Sequence, residues 1–198
     1  MLIYLVIIAI TFLLCVLLNL LFGLESFPRI LLIFAVDASG AFIIDAIIAF
    51  VVRRLPNKWF NHKFKIFKIF KFEKKLYTFL GIKKWKDHIP ELGQLTNFKK
   101  NKIQDPRSIE YLDRYLMEAC YGETIHFVSI ILGFAVIGID FAFNANPLTF
   151  GVLVGIANSI ISFLSFAILR FNRPKLEILK ARNERKKMIT KQEESLEK

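Results

Sequence analysis

Four apolar runs constrain this chain more than any other feature. The first, Leu2 to Phe22, carries no charged residue. The second runs from about Ile30 to Val52 and stops at Arg53-Arg54. The third spans about Ile125 to Phe143, and the fourth about Leu148 to Leu169, ending at Arg170. A helix needs about 20 apolar residues to cross a hydrocarbon core, and each run is close to that length. The first run lacks a basic leading region and a small-residue cleavage site, so it reads as a retained helix rather than a signal peptide.

The charges fit the same picture. The chain is 55% hydrophobic, with a mean hydropathy of +0.45, yet its net charge is +11. A soluble domain does not easily hold both properties; a membrane protein does, by collecting charge outside its spans. Of 28 Lys and Arg residues, 17 lie between Arg53 and Gly122, against 7 acids. Another 10 follow Leu169, against 5 acids. By the positive-inside rule, both basic regions face the cytoplasm. The expected fold is an all-α membrane protein of the cell membrane. About four transmembrane helices form two hairpins, with a basic amphipathic interfacial segment between them and the N-terminus outside. Residues 1–52 hold two spans, 53–122 the basic segment, 123–170 two more spans, and 171–198 a charged cytoplasmic tail.

Within the basic segment, the spacing predicts an imperfect amphipathic helix over Lys63 to Leu80. Lys68, Lys71, Lys74 and Lys75 would cluster on one side; Ile66, Ile69, Phe70, Phe72, Leu76 and Leu80 would fall mostly on the other. Such a helix suits the headgroup layer of a bilayer, or packing on protein. Anionic lipid headgroups are already a partner for tethered lysines, so nucleic acid is not expected as one. A shaped loop follows Gly81, and a helix from about Pro106 to Tyr121 leads toward the third run. Cys15 and Cys120 lie in such different settings that no disulfide framework is expected.

Several residues suggest chemistry. Glu118, Glu123 and His126 stand where the basic segment meets the third run. Glu123 and His126 are three apart, neighbours on a continuous helix. A carboxylate beside an imidazole suits a general base; the same residues also suit an ordinary interfacial histidine with solvated acids. One Glu-x-x-His copy does not make a di-metal site, which needs a second copy and more carboxylates; no metal is expected. Asp37 and Asp45, in the second run, suit either a proton or substrate path or neutral acids bonded to Asn158, Ser159 and Ser162. Gly151 and Gly155 have the spacing of a close helix contact. Arg173, past the last run, suits either a snorkelling anchor or a bidentate anion holder.

Five elements in this order carry a resemblance. They are Arg54-Leu55-Pro56 before Trp59-Phe60; Phe72-Glu73-Lys74; Lys84-Trp85-Lys86 with Pro90 and Gly93; Glu118, Glu123 and His126; and Asn172-Arg173-Pro174-Lys175-Leu176. From about Arg53 to Arg182 the chain resembles the glycosyl-4,4'-diaponeurosporenoate acyltransferase family. The resemblance implies a membrane O-acyltransferase that esterifies a fatty acyl group onto a sugar hydroxyl of a membrane glycolipid or glycosyl carotenoid. For such an enzyme the chemistry of the residues themselves suits His126 as the general base, with Glu123 or Glu118 orienting it. Lys84, Trp85, Lys86, Asn172 and Arg173 hold substrate, the cations meeting the anionic part of the donor. No bound cofactor is expected. A cytoplasmic site favours a soluble acyl thioester, acyl-CoA or acyl carrier protein, as donor. The alternatives are a non-catalytic scaffold or lipid-binding protein, and a proton-coupled transporter using Asp37 and Asp45.

Overall fold

The computed structural model describes residues 2–89 and 103–196; the expected loop residues Pro90 and Gly93 lie outside them. All regular structure among the described residues is helical. The α-helices are α1 (Leu2–Leu21), α2 (Phe27–Arg54), α3 (Lys71–Phe79), α4 (Ile82–Trp85), α5 (Ile109–Leu132), α6 (Ile137–Ala142) and α7 (Gly151–Leu196). Four helical segments are long and apolar enough to cross a membrane: α1, α2, α5 continued through α6, and α7. The chain divides into two compact units, Met1–Leu55 with Thr124–Phe166, and Pro56–Glu123 with Ala167–Lys198.

The first unit turns its polar residues inward. On α1 the buried residues are Thr11, Cys15 and Asn19, spaced by four, while leucines and isoleucines face out. That is the arrangement lipid selects, since apolar side chains cost nothing there and polar groups need partners. Thr11 donates to the Ile7 carbonyl at 2.8 Å and Asn19 to the Cys15 carbonyl at 2.8 Å. Cys15 packs with Ile30 and Ile33 of α2 and with Ala145 and Phe150. Ala41, Val136 and Val154 form a second cluster.

The third apolar run is not one regular helix. The chain tightens into a 3-10 turn at Gly133–Val136 before α6. Just upstream, two carbonyls find partners on α7: Ser159 donates to Ile130 O at 2.8 Å, and Asn158 to Ser129 O at 3.5 Å. Asn158 also donates to Asp45 Oδ1 at 3.3 Å, one of the bonds expected for that acid. Asp37 has a different neighbour, Asp140 of α6. Asp140 Oδ2 in turn accepts the Gly151 N–H at 2.8 Å, holding the start of α7.

Gly151 and Gly155 make the close contact their spacing suggests. A Cβ on Gly151 would meet Asp140 Oδ2 and stand 2.9 Å from the Ile137 Cα; one on Gly155 would stand 2.5 Å from the Phe134 ring.

In the second unit the continuous helix expected over Lys63 to Leu80 is not formed. Only Lys71–Phe79 is α-helical; a 3-10 turn at Lys65–Phe67 and extended residues precede it. The physical reason is a demand for acceptors. The Phe67 and Lys68 carbonyls accept from Arg173 and Arg170, and a helix would commit them to its own N–H groups. The helix expected near 106–121 begins at Ile109 and runs on through Gly122 to Leu132. Leu112, Tyr115 and Leu116 of α5 pack on Leu176 of α7. α7 continues through Pro174, which cannot donate to the Arg170 carbonyl.

Replacing Gly151 by Ala pushes a methyl group against α6 backbone and the capping carboxylate. The variant should be less stable by about 1–3 kcal/mol, the usual cost of overpacking. Thermal unfolding of the detergent-solubilised protein measures this, and Gly138→Ala, which meets nothing within 4 Å, is the control.

Candidate functional site

Two arginines one turn apart on α7 organise the second unit. Both are buried, and Arg173 is 1% exposed. Arg170 grips Glu73 of α3 with two bonds, Nε to Oε2 at 2.6 Å and Nη2 to Oε1 at 2.8 Å. Its Nη1 reaches Glu123 Oε2 of α5 at 3.1 Å, and its Nη2 the Lys68 carbonyl at 2.8 Å. Arg173 donates from Nε to Glu123 Oε1 at 2.6 Å, from Nη2 to Glu123 Oε2 at 3.3 Å, and from Nη1 to Glu177 at 2.8 Å. Its Nη2 also bonds the Phe67 carbonyl. Tyr77 donates to Glu73 Oε2 at 2.9 Å, and the Phe70 N–H donates to Glu73 Oε1 at 3.0 Å.

This clasp is balanced in charge, two guanidinium groups against Glu73 and Glu123 with Glu177 at its edge. Burial works against the charged form of Glu73. The bonds from Arg170, the Phe70 N–H and Tyr77 outweigh it and hold the carboxyl below its usual range. Burial, then the neighbouring carboxylate, pushes Tyr77 upward, so its hydroxyl stays a donor.

The predicted site residues are distributed as follows. Glu123 lies at the centre of the clasp, and its bonds go to the two arginines. His126, three residues further along α5, belongs to the first unit, is half-buried, and makes no described hydrogen bond. Glu118 is half-buried and pairs with Arg114 at 3.2 Å. Arg173 faces inward, with all its nitrogens engaged; Asn172 beside it is half-buried. Lys84 is exposed. Trp85 is half-buried, with its indole N–H on the Leu80 carbonyl at 2.9 Å. Lys86 is half-buried and pairs with Asp87 at 3.3 Å. Lys83, Lys86 and Asp87 stand within electrostatic reach of Lys175 on α7, a basic group joined across the fold. The Cys120 thiol is fully buried. Among the described residues no group of three or more His, Cys, Asp or Glu is placed to hold a metal ion.

Sequence reasoning missed Arg170, Tyr77 and the structural role of Glu73. Arg170 read only as the stop to the last run. Its proximity to Glu73, 97 residues away, is a product of the fold.

Fold and site together define a polytopic helical membrane protein with a basic unit built around a buried arginine clasp. Residues 56–182, which include the whole clasp, match the model of the glycosyl-4,4'-diaponeurosporenoate acyltransferase family. Proteins of that name from Staphylococcus aureus strains USA300 and COL are 32% identical over 156 residues, covering 72% of this chain and 87% of theirs. The protein from strain Newman is 31% identical over the same length. The chain belongs to this acyltransferase family. No solved structure matches it.

Removing one member of the clasp leaves a buried opposite charge. Glu123→Ala and Arg173→Ala should each cost about 3–5 kcal/mol, as broken buried pairs do, read as a large fall in Tm. Acid is a gentler probe. The depressed Glu73 carboxyl adds stability that is fully present above its unfolded value, about 4.3. That stability is lost as pH falls through the lower folded value. Melting curves should fall steeply below about pH 4, and Glu73→Gln, less stable at pH 7, should fall less.

Proposed function

We propose that this chain transfers a fatty acyl group from a soluble thioester to a sugar hydroxyl of a glycosyl carotenoid or related glycolipid, at the cytoplasmic face of the cell membrane. The observation that carries this reading is the family match over residues 56–182, together with relatives whose name states that activity on glycosyl-4,4'-diaponeurosporenoate. The charge asymmetry supports an orientation with the N-terminus outside and both basic regions in the cytoplasm.

In this reading His126 takes the proton of the sugar hydroxyl as its oxygen attacks the thioester carbonyl. A new ester C–O bond forms, the C–S bond breaks, and the departing thiolate takes the proton back from the imidazolium. Glu123 is a positioning residue, fixing the turn of α5 that precedes His126 through its bonds to Arg170 and Arg173. Glu118 supports the same helix through Arg114. The donor's phosphates are drawn by lysines, Lys84 and Lys86 with Lys83 and Lys175. Trp85 and Asn172 border that basic group in sequence. Arg173 contributes by holding α7 in place, since its guanidinium is already bonded. The remaining lysines of the segment face anionic lipid headgroups.

His126→Ala should lower kcat by about 100-fold or more, the usual contribution of a general base. The assay is acyl transfer to glycosyl carotenoid in isolated membranes, and a wild-type rate removes the base assignment. Replacing Lys83, Lys86 and Lys175 together by Gln should raise the KM for acyl-CoA and weaken its dependence on ionic strength, with kcat little changed.

A further inference from the structure

The helix α3 has an inverted surface. Its two buried residues are polar, Glu73 at 7% and Tyr77 at 3% exposed, and both belong to the arginine clasp. Its large apolar side chains are outside: Phe72 is 65%, Leu76 41% and Phe79 87% exposed. At about 100° per residue these three fall within about 60° of one another, and about 110° round from the Glu73 and Tyr77 face. The apolar surface continues upstream, where Ile66 is 79% exposed and Phe64 and Phe70 are also exposed. Exposed Lys71 and Lys75 border the α3 stripe, and exposed Lys63, Lys65 and Lys68 accompany the upstream part. A soluble helix buries phenylalanine and exposes glutamate. Here the ionic side is anchored and the aromatic side is offered outward.

We infer that Phe72, Leu76 and Phe79, with Ile66, insert into the acyl-chain region of an anionic membrane leaflet, with Lys71 and Lys75 at the level of its phosphates. Two features select lipid over a protein occupant. The bordering charges are all basic, which complements acidic headgroups. The chain also carries helices long and apolar enough to span a bilayer, so the leaflet is a tethered neighbour. A short amphipathic helix alone binds weakly; one held from behind by the Glu73–Arg170 fork presents its apolar side chains already ordered. The inference concerns membrane seating and is independent of the proposed reaction.

The test uses the full chain reconstituted in vesicles of phosphatidylglycerol and phosphatidylcholine. Single cysteines at Phe79→Cys, Phe72→Cys and Lys74→Cys are labelled with an environment-sensitive dye. The unsubstituted chain, whose Cys15 and Cys120 are buried, gives the labelling background. Lys74 is exposed and lies about 190° round the helix from the apolar stripe. The expected result is blue-shifted emission at 72 and 79, quenched by nitroxide on lipid acyl chains and shielded from aqueous iodide. The label at 74 should be open to iodide. Ile66→Cys, outside α3, gives the same reading without altering the helix. Equal access of iodide to 66, 72, 74 and 79 overturns the inference. So does shielding from iodide without lipid quenching, which identifies a protein contact. Acyl transfer is not measured, so either outcome leaves the proposed chemistry to its own test.

Discussion

Two guanidinium groups on one helix carry about ten N–H donors between them, and the second unit is organised around accepting most of them. Glu73 and Glu123 give carboxylates, Glu177 closes the outer edge, and the Phe67 and Lys68 carbonyls add main-chain acceptors. Buried charge is tolerated only when paired and fully bonded. That condition reaches back through the chain. It fixes where α3 starts, because Glu73 must face α7 while accepting the Phe70 N–H. It fixes the rotation of α5, because Glu123 must meet both arginines. It also explains why the preceding stretch leaves helical geometry.

The first unit obeys a different solvent. Helices there turn threonine, asparagine and aspartate inward beside small aliphatic clusters and leave most of their leucines and isoleucines outward, since lipid solvates only apolar side chains. Its helices approach closely where Gly151 and Gly155 remove side chains, and the Asp140 carboxylate caps α7 in the space so created. The two units therefore share one device, a carboxylate that fixes a helix, used against backbone N–H in one and guanidinium in the other.

Much of this was legible in the sequence, and the physical reason differs by feature. The apolar runs were plain because a bilayer demands length and hydrophobicity together. The Asp45–Asn158 bond was among the options, because a polar residue in one span needs a partner in another. For Asp37 the fourth span was one of the options; its neighbour is Asp140, near the end of the third run, where an acid reads as an ordinary boundary residue. The Lys63 to Leu80 stretch misled because periodicity counts side chains, whereas its backbone was claimed by arginines about 100 residues away. Arg173 suited either a snorkelling anchor or a holder of the donor's anionic part; its guanidinium is bonded within the protein, to Glu123, Glu177 and the Phe67 carbonyl. His126 was recognisable as a residue type suited to catalysis, but no sequence spacing reports that Glu123 is drawn to arginine instead.

The backbone acceptors at 67 and 68 carry a consequence for how this family can diverge. A carbonyl oxygen is present whatever side chain accompanies it. Residues at these two positions are therefore free to drift as far as the clasp is concerned, while the path of the chain through them is held. Positions 73, 123, 170 and 173 have no such freedom, because there the side chain is the bond. Two relatives can thus keep the same buried lock while differing at residues 67 and 68.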